Sequence, residues 1–173
     1  LFAHMLGTNR QFTLDAIDAY KPLGGTALYD ALYDSLVTLK SVAGRRAVVV
    51  LSDGRDEDNP GTGPGSQHSL DDVLKLIRSV DATIFPIGLG TRVERSFLEK
   101  LAADSGGQAY FPADVSSLAE QYRSVIENLR RRYVLSYTSS NSTHDGTWRT
   151  VEIKSRISGL RIATRGGYFA PAE

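Results

Sequence analysis

Two short segments carry residue types that could bind a cation, because both offer side-chain oxygen atoms. Residues 24–26 (Gly-Gly-Thr) form a glycine-rich loop that places the Thr26 hydroxyl just before an amphipathic helix. Residues 52–54 (Ser-Asp-Gly) place the Asp53 carboxylate just after the short apolar run 47–51. A hydroxyl and a carboxylate on loops at one end of an α/β sheet suit Mg²⁺ or another cation that prefers oxygen.

Each of these side chains also has an ordinary structural interpretation. Thr26 could be the N-cap of the following helix, because its hydroxyl can accept a hydrogen bond from a free N–H of the first turn. Asp53 could be a turn residue, since Asp-Gly is a common turn sequence. Ser52 is better explained as a hydroxyl that bonds the backbone than as a ligand. Asp30 and Asp34, one turn apart in the helix after Thr26, are predicted to lie on its solvent face.

The segment after Asp53 is acidic but lacks the pattern of a calcium-binding loop. Asp56, Glu57 and Asp58 follow in succession. When Asp56 is taken as the first position of an EF-hand loop, Gln67 occupies the twelfth, where a bidentate carboxylate is needed. We therefore predict a solvated acidic loop.

Composition and motifs argue against several classes of function. The 173 residues include 20 basic and 20 acidic side chains, so no overall field favours nucleic acid or an anionic membrane. The absence of cysteine excludes disulfides, thiolate metal sites and cysteine nucleophiles. No apolar run approaches the roughly 20 residues that span a bilayer. The motifs of serine hydrolases, phosphate loops and zinc proteases are missing, so we predict that the chain is not an enzyme.

The order of predicted elements indicates an α/β fold. Apolar spacing predicts helices after Thr13, Thr26 and Ser69 and over 94–103 and 118–130, with strands over 47–51, 82–89 and 109–111. Strands that alternate with helices are typical of a doubly wound, mostly parallel sheet flanked by helices. The run 47–51 lacks alternation, as expected of a strand that is covered on both faces.

After residue 131 the pattern changes from helical to β-type. Three stretches are aromatic and β-branched and partly alternate, namely 133–138, 148–154 and 160–165. Consecutive strands with short connections indicate a C-terminal antiparallel β extension. We therefore divide the chain into an α/β domain over 1–131 and a β extension over 132–173, packed on or beside it.

The order and spacing of these motifs resemble the von Willebrand factor A family. The Gly-Gly-Thr loop and the strand that ends in Ser-Asp-Gly are followed, in the order of the family, by residues 84–90, 97–102 and 105–111. Residues 129–137 and 165–169 look like a bacterial branch often called VWFA-related. The resemblance covers roughly residues 13–169.

This resemblance implies a metal-ion-dependent adhesion site. It implies that Thr26 and Asp53 supply two of three ligand segments for Mg²⁺, or for Mn²⁺ or Ca²⁺, and that an acidic residue of a protein partner completes the shell. The third segment, Asp-x-Ser-x-Ser on the family's central first strand, has no match in residues 1–25. We therefore expect 1–131 to be a partial domain, truncated at its N-terminus. We also expect weak or no metal binding in this chain, and self-association through the exposed sheet edge.

The sequence thus predicts a non-enzymatic, divalent-cation-dependent protein-binding module with an incomplete metal site. Two alternatives stay open: an interaction scaffold with a vestigial metal site, and a hydrolase that uses the metal to activate water. The hydrolase would need a general base, and no histidine is adjacent in sequence to Thr26 or Asp53. Neither a nucleic-acid partner nor a membrane span is expected. The bacterial branch implies a secreted or cell-envelope location.

Overall fold

The structure, a computed structural model, describes residues 7–21, 23–131, 133, 135–160 and 162–172. In chain order, the elements are α1 (Arg10–Ala19), α2 (Leu28–Lys40), β1 (Arg46–Ser52), α3 (Leu70–Ser79), β2 (Ala82–Gly88), α4 (Arg95–Ser105), a short 3₁₀ helix (Val115–Ser117), α5 (Leu118–Arg130), β3 (Trp148–Thr150) and β4 (Gly167–Phe169). This order confirms the predicted α/β fold with a C-terminal antiparallel extension.

Local caps explain where two of the helices begin. Ser69 forms a capping box with Asp72 at the start of α3, so the predicted helix after Ser69 is confirmed. The first helix begins earlier than predicted, because Asn9 rather than Thr13 is its N-cap and accepts a hydrogen bond from the Gln11 N–H at 3.0 Å.

β1 and β2 form the predicted parallel pair. Their register aligns Arg46 with Ala82 and Ser52 with Gly88, and α3 lies in the crossover that a parallel connection requires. Tyr110 forms an isolated parallel bridge with Ile87. The strand predicted over 109–111 is reduced to this one bridge. The loops that follow β1 and β2 therefore leave from the same edge of the sheet.

The core lies on both faces of β2. All 7 residues of this strand are buried. On one face, Ile84 packs with apolar residues of α2, α3 and α4. On the other face, Phe85 and Ile87 pack with Tyr110 and with Val125 of α5. Helices on both sides of a parallel pair are the doubly wound arrangement that the sequence predicts.

β1 is well covered on one face only, which corrects the expectation that this apolar strand is covered on both. Val48 and Val50 pack against the core, whereas Val49 and Leu51 are 38% and 45% exposed. Within the described ranges β1 pairs with β2 alone. An exposed apolar face beside an unpaired edge favours the addition of another strand.

The C-terminal extension contains, within the described residues, two short antiparallel strands rather than three longer ones. Trp148 lies opposite Phe169, and the pairing ends near Val151, whose N–H bonds the Gly166 carbonyl at 2.9 Å. The strand predicted over 148–154 is therefore short, because no partner continues its ladder. The strand predicted over 160–165 gives way to Gly167–Phe169, and the described residues of 133–138 form none. Residues 132, 134 and 161 lie outside the description.

The extension contacts the C-terminal end of α3. The Arg165 guanidinium bonds the Asp81 carboxylate at 3.2 Å and the Arg78 carbonyl at 2.7 Å. The Arg78 guanidinium in turn lies 5.6 Å from the centroid of the Trp148 ring. The division into domains at residues 131 and 132 stays a prediction.

Candidate functional site

Three loops meet at the sheet edge where β1 and β2 end, namely the loops that follow these two strands and the Gly-Gly-Thr loop over 24–26. The Glu94 N–H donates to the Asp53 carbonyl at 2.7 Å, and the Leu89 N–H donates to the Ser52 carbonyl at 3.3 Å. Gly54 turns the chain after Asp53 with a φ of +90°, and a Cβ there would lie 2.9 Å from Glu94 Cβ. The turn that carries the Asp53 carboxylate therefore packs closely against the loop before α4.

Asp53 lies directly after β1, at the position that the sequence predicts. Its Oδ1 accepts a hydrogen bond from the Arg55 N–H at 3.1 Å. The Ser52 hydroxyl oxygen accepts one from the Gly54 N–H at 3.0 Å, which confirms that this hydroxyl bonds the backbone. A carboxylate offers about four acceptor positions, so one amide contact leaves capacity for a cation at the same group.

Thr26 takes part in a backbone bridge and is not a helix cap. Its N–H donates to the Glu57 carbonyl at 2.7 Å, and the Glu57 N–H donates to the Thr26 carbonyl at 3.1 Å. The α2 helix begins at Leu28 with Ala27 in the cap position, so the interpretation of Thr26 as N-cap is wrong. This bridge connects the Gly-Gly-Thr loop to the segment that follows Asp53.

The bridge also fixes the direction of the Thr26 side chain. Residues directly opposite each other in an antiparallel pair project their side chains to the same face, so the side chains of Thr26 and Glu57 share a face. The backbones approach closely at two glycines. A Cβ on Gly25 would overlap the Glu57 carbonyl oxygen, and a Cβ on Gly65 would overlap the Thr26 carbonyl oxygen. Larger residues at either position would separate these loops.

Side chains of the acidic loop, rather than Thr26, cap α2. Asp56 Oδ1 accepts a hydrogen bond from the Tyr29 N–H, and the Ser66 hydroxyl accepts one from the Asp30 N–H, both at 3.0 Å. Ser66 also donates to Asp56 through its N–H and its hydroxyl. Burial raises the pKa of the Asp56 carboxyl, but the hydrogen bonds from Ser66, Tyr29 and Leu28 together lower it below its ordinary value. A carboxylate at a helix N-terminus is also favoured by the helix dipole.

Asp30 belongs to the same network, so the prediction that it lies on the solvent face is wrong. Its carboxylate accepts hydrogen bonds from the N–H groups of Gln67 at 3.0 Å and His68 at 2.9 Å, and lies 2.7 Å from His68 Nδ1. These backbone hydrogen bonds lower the pKa of the Asp30 carboxyl. The His68 ring stacks on Tyr33 with 3.7 Å between centroids. Asp34, in contrast, is exposed as predicted.

The acidic loop is therefore folded rather than simply solvated. Asp56 caps α2, and Asp58 Oδ1 accepts hydrogen bonds from the N–H groups of Gly63, Thr62 and Gly61, which lower the pKa of the Asp58 carboxyl. The Glu57 carboxylate pairs with Arg55 Nη1 at 3.0 Å. The glycines of the sequence Gly-Thr-Gly-Pro-Gly over 61–65 were the one signal of this tight packing.

The candidate donors suit a hard cation in type but not in number. Mg²⁺ prefers oxygen and takes about six ligands, of which the Thr26 hydroxyl and the Asp53 carboxylate could supply two. Both lie in one loop cluster, because Asp53 opens the segment that Glu57 bridges to Thr26. Among the residues that the structure describes, no group of three or more His, Cys, Asp or Glu side chains could hold a metal ion. Other oxygen donors are therefore needed for a complete site.

The family model of the von Willebrand factor type A domain matches residues 5–124 of this chain. The match includes Thr26, Asp53 and the three loops at the sheet edge, and it ends within α5, before the β extension. No curated protein matches the chain. In the part of the chain that the structure describes, no helix is long and apolar enough to cross a membrane.

We predict that Asp56→Ala lowers the free energy of unfolding by about 1–2 kcal/mol at pH 7, because α2 loses its cap. Asp34→Ala, an exposed change on the same helix, should alter it by less than about 0.5 kcal/mol. Urea unfolding followed by circular dichroism measures both. Equal losses in the two variants would contradict the capping role.

The difference in the free energy of unfolding between the wild type and Asp56→Ala should depend on pH. Because the pKa of Asp56 is lowered in the folded state from its ordinary value of 3.8, its stabilisation is present above about pH 4. It is lost as the pH falls through the folded-state pKa. The stability difference between the wild type and Asp56→Ala should therefore narrow between pH 5 and pH 2, to about the cost of the remaining neutral hydrogen bonds. A difference that is constant over this range would show that the charge is not involved.

Proposed function

The chain belongs to the von Willebrand factor type A domain family, and we propose that it is a protein-binding module whose binding depends on a divalent cation. Domains of this family are generally interaction modules and are typically non-catalytic. The observation that carries the proposal is the Thr26–Glu57 bridge, because it draws the Thr26 loop to the segment that begins with Asp53. Two oxygen donors of the type that Mg²⁺ prefers thus belong to one loop cluster.

In this proposal, the Thr26 hydroxyl and the Asp53 carboxylate bind Mg²⁺, Mn²⁺ or Ca²⁺. The remaining protein donors correspond to the Asp-x-Ser-x-Ser segment of the family. The cation, when bound, supplies a position for an acidic side chain of the partner protein. The chain's own contribution is to hold the two donors: the bridge fixes Thr26, and the Arg55 N–H bond orients Asp53.

The alternatives receive less support. A hydrolase needs a general base beside the cation, whereas His68, which belongs to this loop region, is engaged by Asp30 through Nδ1 and by Tyr33 through its ring. A scaffold with a vestigial metal site would bind its partners through the β extension instead.

We propose further that the partner is a protein and not nucleic acid, since the numbers of basic and acidic side chains are equal. We also propose a secreted or cell-envelope location, because residues 129–137 and 165–169 resemble the bacterial branch of the family.

The first prediction of this proposed function concerns binding by the full-length natural protein. With Mg²⁺ present, immobilised protein should retain a set of partner proteins that EDTA releases. Thr26→Ala and Asp53→Ala should each reduce retention by about tenfold or more, because a cation that loses a fixed donor is held by water instead. Thr38→Ala, on the distal part of α2, is the matched control and should have no effect. Retention that survives EDTA and both variants would favour the scaffold.

The second prediction concerns the metal affinity of the 173-residue chain by itself. Two fixed donors leave most of the Mg²⁺ shell to water, and the ion gives up water reluctantly. Isothermal titration calorimetry should therefore detect weak or no binding. A dissociation constant in the low micromolar range would mean that other residues of this chain complete the site.

The third prediction concerns self-association of the same 173-residue chain. One edge of β1 pairs with no other strand among the described residues, and Val49 and Leu51 are exposed. Both features should promote pairing between copies, which light scattering would detect as a mass above that of a monomer. Val49→Lys should reduce this association, because charge on an edge strand opposes pairing. Val37→Lys, at an exposed valine of α2, is the control. A monodisperse monomeric wild type would refute the proposal.

A further inference from the structure

The strand β1 and the residues that flank it are complementary to a second copy of themselves that runs in the opposite direction. The strand extends from Arg46 to Ser52, so Val49 is its central residue. Arg45 precedes the strand and Asp53 follows it, each four positions from Val49. A positive charge therefore lies at one end of an apolar run, and a negative charge lies at the other.

The two end charges are available to another molecule. Arg45 is exposed and Asp53 is half-buried, and among the described residues no ion pair engages either side chain. Arg46 differs, because its guanidinium donates to carbonyl groups at the end of α2 at 3.3 Å and 3.4 Å. The segment 53–58 carries four acidic side chains and one basic side chain, so an arginine from another molecule would meet a negative potential there.

Alternate backbone groups of β1 point to the edge opposite β2, which pairs with no other strand among the described residues. The Ser52 carbonyl accepts the Leu89 N–H at 3.3 Å and therefore points toward β2. Successive residues of a strand direct their N–H and C=O groups to opposite edges, so those of Ala47, Val49 and Leu51 point away from β2. These groups, together with the exposed side chains of Val49 and Leu51, favour the addition of a strand.

We propose that this strand is β1 of a second copy of the chain, paired antiparallel about a two-fold axis at Val49. Val49 then lies opposite Val49 of the second copy, and Ala47 lies opposite Leu51 of the second copy. The backbone groups of these pairs face each other and exchange hydrogen bonds. Arg45 lies opposite Asp53 of the second copy, and the two-fold axis repeats this ion pair. The inference does not rest on the cation-dependent function proposed above.

Charge favours this orientation and register over the alternatives. A parallel pair in register would place Arg45 opposite Arg45 and Asp53 opposite Asp53, and like charges that are directly opposed destabilise a strand pair. A shift of the antiparallel register by two positions would place Arg45 opposite Leu51 or Arg55 and remove both ion pairs. The symmetric arrangement uses the same edge of both copies, so assembly ends at a dimer.

Sedimentation equilibrium of the 173-residue chain tests the role of charge. The experiment is done in EDTA, because a cation at Asp53 would compete with Arg45. The wild type should form a dimer and no larger species. Arg45→Glu and Asp53→Arg should each raise the dissociation constant of the dimer about tenfold, because two attractive pairs become two repulsive ones.

A double variant and a control separate pairing from general effects. Arg45→Glu combined with Asp53→Arg re-forms both pairs with reversed charges and should return the dissociation constant to within about threefold of the wild type. Lys75→Glu, a matched charge reversal at an exposed residue of α3, should leave it unchanged. Circular dichroism checks that each variant is folded.

Disulfide formation tests the register, since the chain has no native cysteine. Ala47→Cys and Leu51→Cys chains should form a mixed disulfide when they are combined and oxidised, because directly opposed Cα atoms lie about 5.5 Å apart. Each variant oxidised by itself should form little dimer. In the proposed register, two copies of position 47 are separated by about 13 Å along the strands.

Four results would overturn the inference. A monomeric wild type would show that this edge does not bind a second copy. Species larger than a dimer would show that the contact is not closed by a two-fold axis. A double variant that dimerises no better than the single variants would show that Arg45 and Asp53 do not meet. Disulfides that form within the Ala47→Cys chain alone, and not in the mixture, would show a parallel pair.

Discussion

The backbone bridge between Thr26 and Glu57 is the contact on which the rest of this loop cluster depends. It holds the Gly-Gly-Thr loop against the segment that leaves β1, and it can form only because Gly25 and Gly65 have no Cβ to separate the chains. In an extended segment, alternate side chains point to opposite faces. The bridged segment therefore turns Glu57 toward the face of Thr26 and Asp56 toward the N-terminus of α2, so one stretch of chain serves both the candidate site and the fold.

Hydrogen bonds from both ends of the loop order the segment around the candidate site. Asp56 and Ser66 satisfy the first N–H groups of α2, and Asp30 binds the far end of the same loop through Gln67 and His68. The conformational entropy of ordering the loop is therefore lost during folding and not during binding, which favours affinity for a partner.

The parts of the structure that the sequence predicts are those governed by local patterns. The helix after Ser69, the strand over 82–89 and the helix over 94–103 depend on neighbouring residues, so composition and spacing indicate them, and the structure has α3, β2 and α4 there. The contacts that organise the site are long-range: Asp56 caps a helix 27 residues earlier in the chain, and Asp30 bonds His68, 38 residues later. No spacing rule relates such pairs. Strand ends are also set by partners, which is why the predicted strand 148–154 is short.

Within the described residues, one edge of β1 pairs with no other strand, and the shortage of cation donors lies at the end of this same strand. Asp53 directly follows β1, so any strand that pairs parallel to the open edge must end beside it, since parallel strands end at a common sheet edge. The loop after such a strand would bring its own side chains next to Asp53 and would cover the unpaired edge with the same addition. An antiparallel strand would cover the edge but would begin there instead of ending. A parallel strand would therefore cover the edge of β1 and also place the loop that follows it beside Asp53. An antiparallel strand would cover the same edge but place the loop that follows it at the other end of β1.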